Sequence, residues 1–156
     1  MLKLNNNFSA LEFELGICKN GYTIKKYWGF GEENFYVPGK IDGKEIIEIS
    51  EEAFKGCRKI KNLTISGKIK NIGKKAFESC LDLETLTFED GTETIESGAF
   101  ADCSSLASIN FSKTLKRFGN HNTLDELPSH GERGVFENTA INSLDMPDNI
   151  LSIGDK

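Results

Sequence analysis

The chain has 156 residues, of which 38% are hydrophobic and 28% are charged, so its composition is that of one globular domain rather than of a disordered segment. The net charge of −5, without a cluster of basic residues, argues against nucleic acid as a partner. No segment approaches the ~18 consecutive apolar residues of a membrane span, and the first residues lack the apolar core of a signal peptide, so neither is predicted in this chain.

The first 45 residues do not fit the repeat that follows, and they are predicted to form an N-terminal β cap. The pairs Asn20-Gly21 and Asp42-Gly43 predict hairpin turns. We interpret the aromatic residues of this segment as the core of the cap; they are Tyr22, Tyr27, Trp28, Phe30, Phe35 and Tyr36. Alternation along the last strand turns Phe35 inward and Tyr36 outward, where Tyr36 would be an aromatic anchor on a binding face.

A 23-residue period begins after this segment. It relates Phe54, Phe77 and Phe100 to one another. The same period relates Cys57, Cys80 and Cys103. The unit I-x-x-I-x-x-x-A-F-x-x-C-x-x-L-x-x-L-x-I occupies residues 46–65, 69–88 and 92–111. A period of this length predicts stacked coils. Residues 46–156 are therefore predicted to be a solenoid of about four repeats, with the last one incomplete.

Each unit divides into three parts. The second half, such as the segment with Leu63 and Thr64, alternates apolar and polar residues and predicts a half-buried strand. The middle, around the Ala-Phe pair, is predicted as a short helical turn, and the first half as a shorter extended piece on the opposite side of the coil. The fold class predicted is thus an α/β repeat. A left-handed corner is predicted at the residue before each cysteine position, namely Gly56, Ser79, Asp102 and Asn138.

The fourth unit is interrupted by an insertion near residues 120–132. It contains both histidines, His121 and His130, with Asp125 and Glu126 between them, and is the only place where metal or acid–base chemistry could be proposed. Because their spacing matches no metal motif, a solvated polar loop is the favoured interpretation. A further unit begins at Ile150 and stops without a cap. We expect there either a continuation of the natural protein or edge-to-edge self-association.

The cysteine column is best explained by buried free thiols. Residues one period apart in a solenoid lie about 4.8 Å apart, and small apolar side chains fill such a repeated slot well. A disulfide stays open as a less favoured alternative. A linear column does not supply the tetrahedral ligands that zinc needs, and Cys18 lies outside it. We therefore predict no metal site and no cofactor.

These units resemble the BspA-like, or Treponema pallidum-type, leucine-rich repeats over about residues 37–156. The spacing, the Ala-Phe pair, the cysteine column and the shortened variant F-E-N-T-A-I at residues 136–141 carry the resemblance. It implies a right-handed leucine-rich-repeat solenoid whose short strands line the concave side. It also implies a group with many bacterial surface proteins that bind host or matrix proteins, so a cell-surface or secreted location is favoured. The family supplies no catalytic residue, and we predict no enzyme.

The outward strand residues form the candidate protein-binding surface. They are Tyr36, Asn62, Thr64, Thr85, Thr87, Ser108, Asn110, Ser143 and Asp145. Apart from Tyr36 they are short polar side chains, whereas binding hot spots are usually Trp, Tyr or Arg, so weak or avidity-dependent binding is expected. The first hypothesis is a protein-interaction module of a bacterial surface or secreted protein. A solvated sheet face without a ligand, in a structural or self-associating spacer, is the alternative.

Overall fold

A computed structural model describes residues 10–29, 31–119 and 133–153 of the chain. Its regular structure is almost entirely β, after one short 3-10 helix at Ala10–Glu12. In these ranges the strands are β1 (Phe13–Cys18), β2 (Gly21–Tyr27), β3 (Asn34–Val37), β4 (Lys40–Ile41), β5 (Lys44–Ile49), β6 (Asn62–Ile65), β7 (Asn71–Ile72), β8 (Thr85–Phe88), β9 (Thr94–Ile95), β10 (Ser108–Asn110), β11 (Arg117–Phe118) and β12 (Ser152–Ile153).

The strands form two sheets that the chain visits in turn. The first sheet has the order β1-β2-β5-β7-β9-β11-β12, with β4 added to β5, and the second has the order β10-β8-β6-β3. All pairs of the second sheet are parallel, as are the pairs of the first sheet from β2 to β12. From β5 to β11 the strands alternate between the two sheets, so each successive pair makes one coil of a β-solenoid. The predicted stacking of successive repeats is confirmed.

The register of the strands reproduces the sequence period. Leu63 pairs with Leu86, and Leu86 with Ile109, in the second sheet. In the first sheet, Ile49 pairs with Ile72, and Ile72 pairs with Ile95. Equivalent residues are therefore lateral neighbours, and each coil buries its apolar side against the next one.

The core contains a column of stacked phenylalanine rings. The ring centroids of Phe54 and Phe77 are 4.7 Å apart, those of Phe77 and Phe100 are 5.1 Å apart, and Phe136 continues the column at 5.6 Å. Tyr27 stacks on Phe54 at 5.1 Å and so extends the column into the N-terminal segment. Such ring pairs add about 0.5–1.5 kcal/mol each beyond the area that they bury. The aligned interior column that the repeat requires is present.

The segments between the two sheets are hydrogen-bonded turns, not helices. Residues 51–56 are turns in which Lys55 N–H donates to Glu52 O and Cys57 N–H to Phe54 O. The N–H of Phe54 donates instead to Ala76 O of the next coil, at 2.7 Å. Because donors that a helix would use internally are used between coils, no α-helix forms. The prediction of helical turns was wrong for the described residues, and the repeat is all-β rather than α/β.

The corners of the coils adopt the predicted left-handed backbone. The φ angles at the position before the cysteine slot are 72° for Gly56, 62° for Ser79, 59° for Asp102 and 56° for Asn138. Glycine, serine, aspartate and asparagine suit this position because small or locally hydrogen-bonding side chains tolerate positive φ best.

The N-terminal segment contributes strands to both sheets. β1 and β2 form a hairpin whose turn lies at residues 19–20, one residue earlier than predicted, because Cys18 pairs with Gly21. Asp42 and Gly43 form the predicted turn between β4 and β5, with φ angles of 48° and 76°. β2 then pairs with β5, and β3 with β6. The cap boundary at residue 45 stays a prediction.

Three features of the sequence lie outside the described residues. They are Phe30, the insertion at residues 120–132 with both histidines, and the last residues 154–156 of the incomplete unit.

Candidate protein-binding surface

The second sheet presents two rows of polar side chains on its outward side. Asn34, Asn62, Thr85 and Ser108 are aligned in one row, and Tyr36, Thr64, Thr87 and Asn110 in the other; both rows follow directly from the strand register. We call these two rows the polar face. The alternation that buries Phe35, Leu63 and Leu86 is what turns their neighbours outward.

Hydrogen bonds between strands order the side chains of the polar face. Asn62 Nδ2 donates to Asn34 Oδ1 at 2.8 Å, and Thr85 Oγ1 donates to Asn62 Oδ1 at 2.6 Å. In the other row Asn110 Nδ2 donates to Thr87 Oγ1 at 3.5 Å. Because these side chains are already ordered, binding of a partner costs less of their conformational entropy than it would on a mobile surface. Sequence reasoning missed Asn34, which lies 28 residues before Asn62 instead of 23.

Burial differs along the polar face. Thr64, Thr85 and Thr87 are half-buried by the neighbouring strands, whereas Ser108 and Asn110 on the edge strand β10 are exposed. Ser143 and Asp145 are exposed too, but residues 141–147 form no strand, so the structure does not bring these two residues into the rows.

Tyr36 is the aromatic residue of the polar face, and its phenol group is held in place. The Tyr36 hydroxyl donates to Glu89 Oε2 at 3.2 Å, and the same carboxylate oxygen accepts the Gly67 N–H at 3.1 Å. Burial raises the pKa of Tyr36, which keeps the phenol protonated and able to donate. The side chain is half-buried, so one part of the ring is fixed in the protein and the other meets solvent.

Beside Tyr36 is an open cleft of about 450 Å³, which we call the Tyr36 cleft. It is lined by Tyr36, Pro38, Gly39, Lys40, Asp42, Glu45, Ser66 and Lys68. The loop after β3, the β4–β5 hairpin and the loop after β6 meet there. None of these residues except Tyr36 was expected at a site, because they come together only through stacking of the coils.

A second cleft of about 370 Å³ lies on the outward side of the first sheet. Glu48, Glu51 and Glu96 line it together with Lys74. Glu96 occupies the repeat position of Gly73. Burial raises the pKa of Glu96, and the neighbouring Lys74 opposes that rise.

A charged network crosses the turns between the sheets. Arg133 contacts both carboxylate oxygens of Asp102, Oε1 of Glu78 at 3.1 Å and Oε1 of Glu137 at 3.0 Å. Lys55 joins the network through Oε2 of Glu78 at 2.8 Å. Hydrogen bonds from Arg133 and Asn138 lower the pKa of Asp102. This network fixes residues 133–138 to the neighbouring coils.

The cysteine column is a packing feature. All four cysteines are free thiols. The predicted burial of the column is confirmed for Cys80 and Cys103, whereas Cys57 is only partly buried. Cys80 Sγ donates to Phe54 O at 3.3 Å, and Cys103 Sγ donates to Phe77 O at 3.2 Å. Each of these two thiols therefore donates to a carbonyl of the preceding coil. This contact explains why the position carries a small side chain with a weak hydrogen-bond donor.

Neither a metal site nor a membrane-spanning helix is present among the described residues. Within residues 10–29, 31–119 and 133–153, no group of three or more His, Cys, Asp or Glu side chains is placed to hold a metal ion. In the same ranges, no helix has the length and apolar character needed to cross a bilayer.

The chain is similar to known repeat proteins. The family described as BspA type leucine rich repeat region matches residues 39–156, in six copies. A T. pallidum leucine-rich repeat protein is 30% identical with a TM-score of 0.67, over 72% of this chain and 53% of that one. A Bacteroides ovatus leucine-rich repeat protein is 23% identical with a TM-score of 0.72, over 96% of this chain and 37% of that one.

A third solved structure, a leucine-rich repeat protein of Bacteroides capillosus, is 17% identical with a TM-score of 0.62, over 87% of this chain and 98% of that one. The two Bacteroides structures show the fold alone. The chain spans 53% and 37% of the T. pallidum and B. ovatus chains. No curated protein matches it.

Proposed function

The chain belongs to the BspA type leucine-rich repeat family, and from this premise we propose that it is a protein–protein interaction module of a bacterial surface or secreted protein. The polar face is the surface that binds the partner. Solenoids of this kind offer extended surfaces for binding rather than enclosed catalytic pockets.

The observation that carries this proposal is the hydrogen-bonded order of the polar face. The side chains of Asn34, Asn62 and Thr85 form a continuous ladder across three strands. Ordered donors and acceptors bind a partner with less entropic loss, while the half-buried ring of Tyr36 supplies an anchor of the type found in binding hot spots.

We place the polar face on the concave side of a right-handed solenoid. Strand length supports this placement. In the inner coils the strands of the second sheet are longer, since β6 and β8 have four residues each and β7 and β9 have two. Because the polar face has one aromatic anchor and no arginine, each module binds weakly, and tight binding requires several modules or copies.

The test uses a variant in which Thr64, Thr87 and Asn110 are all changed to Lys. Partners captured from host-cell surface extracts by the unaltered chain are first identified, and each purified partner is then titrated against both proteins. Binding is expected to fall at least about tenfold, since three bulky cations disrupt the rows. The matched control carries the same three added charges elsewhere, as Asn71, Thr94 and Ser105 all changed to Lys. If both variants bind like the unaltered protein, the polar face is not the binding surface.

A second candidate function is a self-associating spacer, favoured by the edge of the second sheet. Among the described residues, β10 pairs only with β8, so its outer edge has no ladder partner. At the other end of the solenoid, the edge strand β1 of the first sheet is protected. The β1–β2 pairing has a bulge at Glu14/Leu15, and the side chain of Lys25 covers Gly16, where a Cβ would lie 2.5 Å from Lys25 Cε. Bulges discourage strand pairing at an edge.

Self-association is therefore proposed at the β10 edge. Light scattering over a concentration series separates the two functions, because a spacer increases in mass with concentration. The N–H of Ser108 donates to Glu84 O on the β8 side, so alternation turns the N–H of Ile109 toward the unpaired edge. Ile109→Pro, which removes that backbone donor, should abolish the increase in a variant that circular dichroism shows folded. A chain that stays monomeric at the highest concentration is not a self-associating spacer.

A further inference from the structure

The Tyr36 cleft combines a fixed ring with groups of both charges. Lys40 and Lys68 supply ammonium donors, and Asp42 and Glu45 supply carboxylate acceptors. Nζ of Lys40 lies 3.5 Å from Oε1 of Glu45, but both side chains are more than half exposed, so this ion pair adds little stability and both groups are accessible to a ligand.

The balance of charge restricts the kind of ligand. Two cations and two anions line one open cleft, so neither an anion nor a cation gains a net electrostatic attraction. Drug-sized apolar ligands require mostly apolar pockets, whereas this lining is as polar as it is apolar. The lining suits an uncharged molecule that both donates and accepts hydrogen bonds at several closely spaced points. Vicinal hydroxyl groups have this property, since each hydroxyl donates one hydrogen bond and accepts others.

The ring of Tyr36 adds the apolar component of such a site. Its hydroxyl is used by Glu89, so the phenol is oriented before a ligand arrives. Pro38 lies beside it in the lining and adds an apolar surface. An oriented ring of this kind offers its face to the C–H groups of a flat, otherwise polar molecule at low entropic cost.

Two glycines allow the loops beside the cleft to approach their neighbours closely. A Cβ at Gly39 would lie 2.5 Å from Lys68 Cβ, and a Cβ at Gly67 would lie 2.2 Å from Asp90 O. The Lys68 stem therefore packs directly against the backbone of the neighbouring coil, and the two loops meet without side chains between them. These close contacts fix the backbone of the loops that carry the lining residues of the cleft.

We propose that the Tyr36 cleft binds a neutral saccharide, with a pyranose ring against Tyr36 and its hydroxyl groups between the lysines and carboxylates. This activity goes beyond the protein-binding function and does not depend on it. The cleft and the polar face share Tyr36, so a glycosylated partner would contact both surfaces.

The experiment is saturation-transfer NMR, followed by calorimetric titration, with a panel of methyl pyranosides, lactose, cellobiose and N,N′-diacetylchitobiose. At least one neutral saccharide is expected to bind, with its ring protons receiving most of the saturation. Tyr36→Ala should weaken that binding at least about tenfold, whereas Tyr36→Phe, which keeps the ring, should retain it within about threefold. Tyr22→Ala is the control, since Tyr22 is an aromatic residue outside the cleft whose ring faces Lys44.

Three results would overturn the proposal. They are the absence of binding by every saccharide of the panel, equal binding by the Tyr36→Ala protein when circular dichroism shows it folded, and a preference for glucuronic acid over glucose. A variant with only Thr87 and Asn110 changed to Lys, which leaves Thr64 beside Tyr36 unaltered, should bind the saccharide normally. That result distinguishes a failure of the cleft from a failure of the polar face.

Discussion

The rings of Phe77 and Phe100 lie almost parallel, with an interplanar angle of 4° and centroids 5.1 Å apart. Both side chains are fully buried, and the N–H of Phe77 donates to Ala99 O of the next coil at 2.8 Å. Backbone pairing between coils thus sets the ring spacing, and the rings in turn fill the interior at that spacing. The column couples each coil to its neighbours on both sides.

Replacing the central ring should therefore be costly. Phe77→Ala is expected to lower the free energy of unfolding by about 3–5 kcal/mol, because it leaves a cavity that neither neighbour can close. Urea unfolding followed by circular dichroism measures the change. Phe136→Ala is the comparison, since Phe136 is only half-buried and should cost clearly less. Equal losses at the two positions would show that the column has no special role.

The parts of the fold that depend on local spacing could be predicted from the sequence. The phenylalanine column and the left-handed corner at Asp102 repeat every 23 residues or occupy a fixed position in each unit. The prediction of a helical turn was wrong because the local sequence pattern does not reveal that the N–H of Phe54 donates to the next coil. Tyr27 was assigned to a separate cap core, since its 27-residue distance from Phe54 breaks the period.

The candidate site was less predictable for the same reason. Outward strand residues such as Thr64 and Thr87 follow from alternation, but the partners that make a site are brought together across coils. Glu89 lies 53 residues from Tyr36, whose hydroxyl it holds, and Arg133 lies 31 residues from Asp102. No sequence period relates the members of either pair.

A buried hydroxyl without a partner gives a second prediction. Ser97 Oγ is buried and has no hydrogen-bond partner in the described part of the chain. Ser97→Ala removes a desolvated polar group and should leave stability unchanged or raise it by up to about 1 kcal/mol. Thermal unfolding by calorimetry measures the effect.

The matched comparison is Thr92→Val. Thr92 is fully buried, and its Oγ1 donates to Ile69 O at 2.8 Å, which explains a polar residue at an otherwise apolar repeat position. The valine should cost about 1–3 kcal/mol because it leaves that carbonyl without its donor. A greater loss in Ser97→Ala than in Thr92→Val would contradict the hydrogen-bond assignment of both residues.

Glycine at position 91 is required by a close contact between coils. Gly91 has a φ of 144°, and a Cβ there would lie 1.8 Å from Gly67 O. Gly91→Ala should shift both loops and cost more than about 3 kcal/mol, through steric overlap added to backbone strain. Gly43→Ala is the control. Its φ of 76° carries similar strain but nothing lies within 4 Å, so a cost of about 1–2 kcal/mol is expected. Chemical denaturation distinguishes the two, and similar losses would mean that the contact is not tight.

The charged network predicts how stability depends on acid. Arg133 and Asn138 lower the pKa of Asp102 in the folded chain, whereas an unfolded aspartate titrates at about 3.9. A lowered folded pKa adds stability that is present above about pH 4 and is lost as the pH falls further. Glu78 behaves alike: burial opposes its ionisation, but hydrogen bonds from Lys55 and Arg133 outweigh burial and lower its pKa.

Asp102→Asn tests this dependence, because asparagine has the same shape and tolerates the left-handed backbone. The variant should be less stable at pH 7 by up to about 1 kcal/mol, since the side chain is partly exposed, and the difference should shrink below pH 4. Denaturation midpoints from pH 7 to pH 2.5 measure it. Asp42→Asn, at another residue with positive φ, is the control. A constant difference across the whole pH range would rule out the ion pair as its source.

The thiols should differ in reactivity according to their place in the coils. The thiolate is the reactive form, so a raised pKa and burial both slow modification. Burial raises the pKa of Cys57 to about 11, and the neighbouring Cys103 thiol together with burial raises the pKa of Cys80. Cys18 lies at the end of β1, outside the column.

With Ellman's reagent at pH 8, Cys18 should react first and Cys57 slowly. Cys80 and Cys103 should react only after unfolding in guanidinium. In Cys18→Ser the fast phase should vanish; a fast phase that persists, or a disulfide found by mass spectrometry of the unreduced chain, would show that the column is open to solvent or cross-linked.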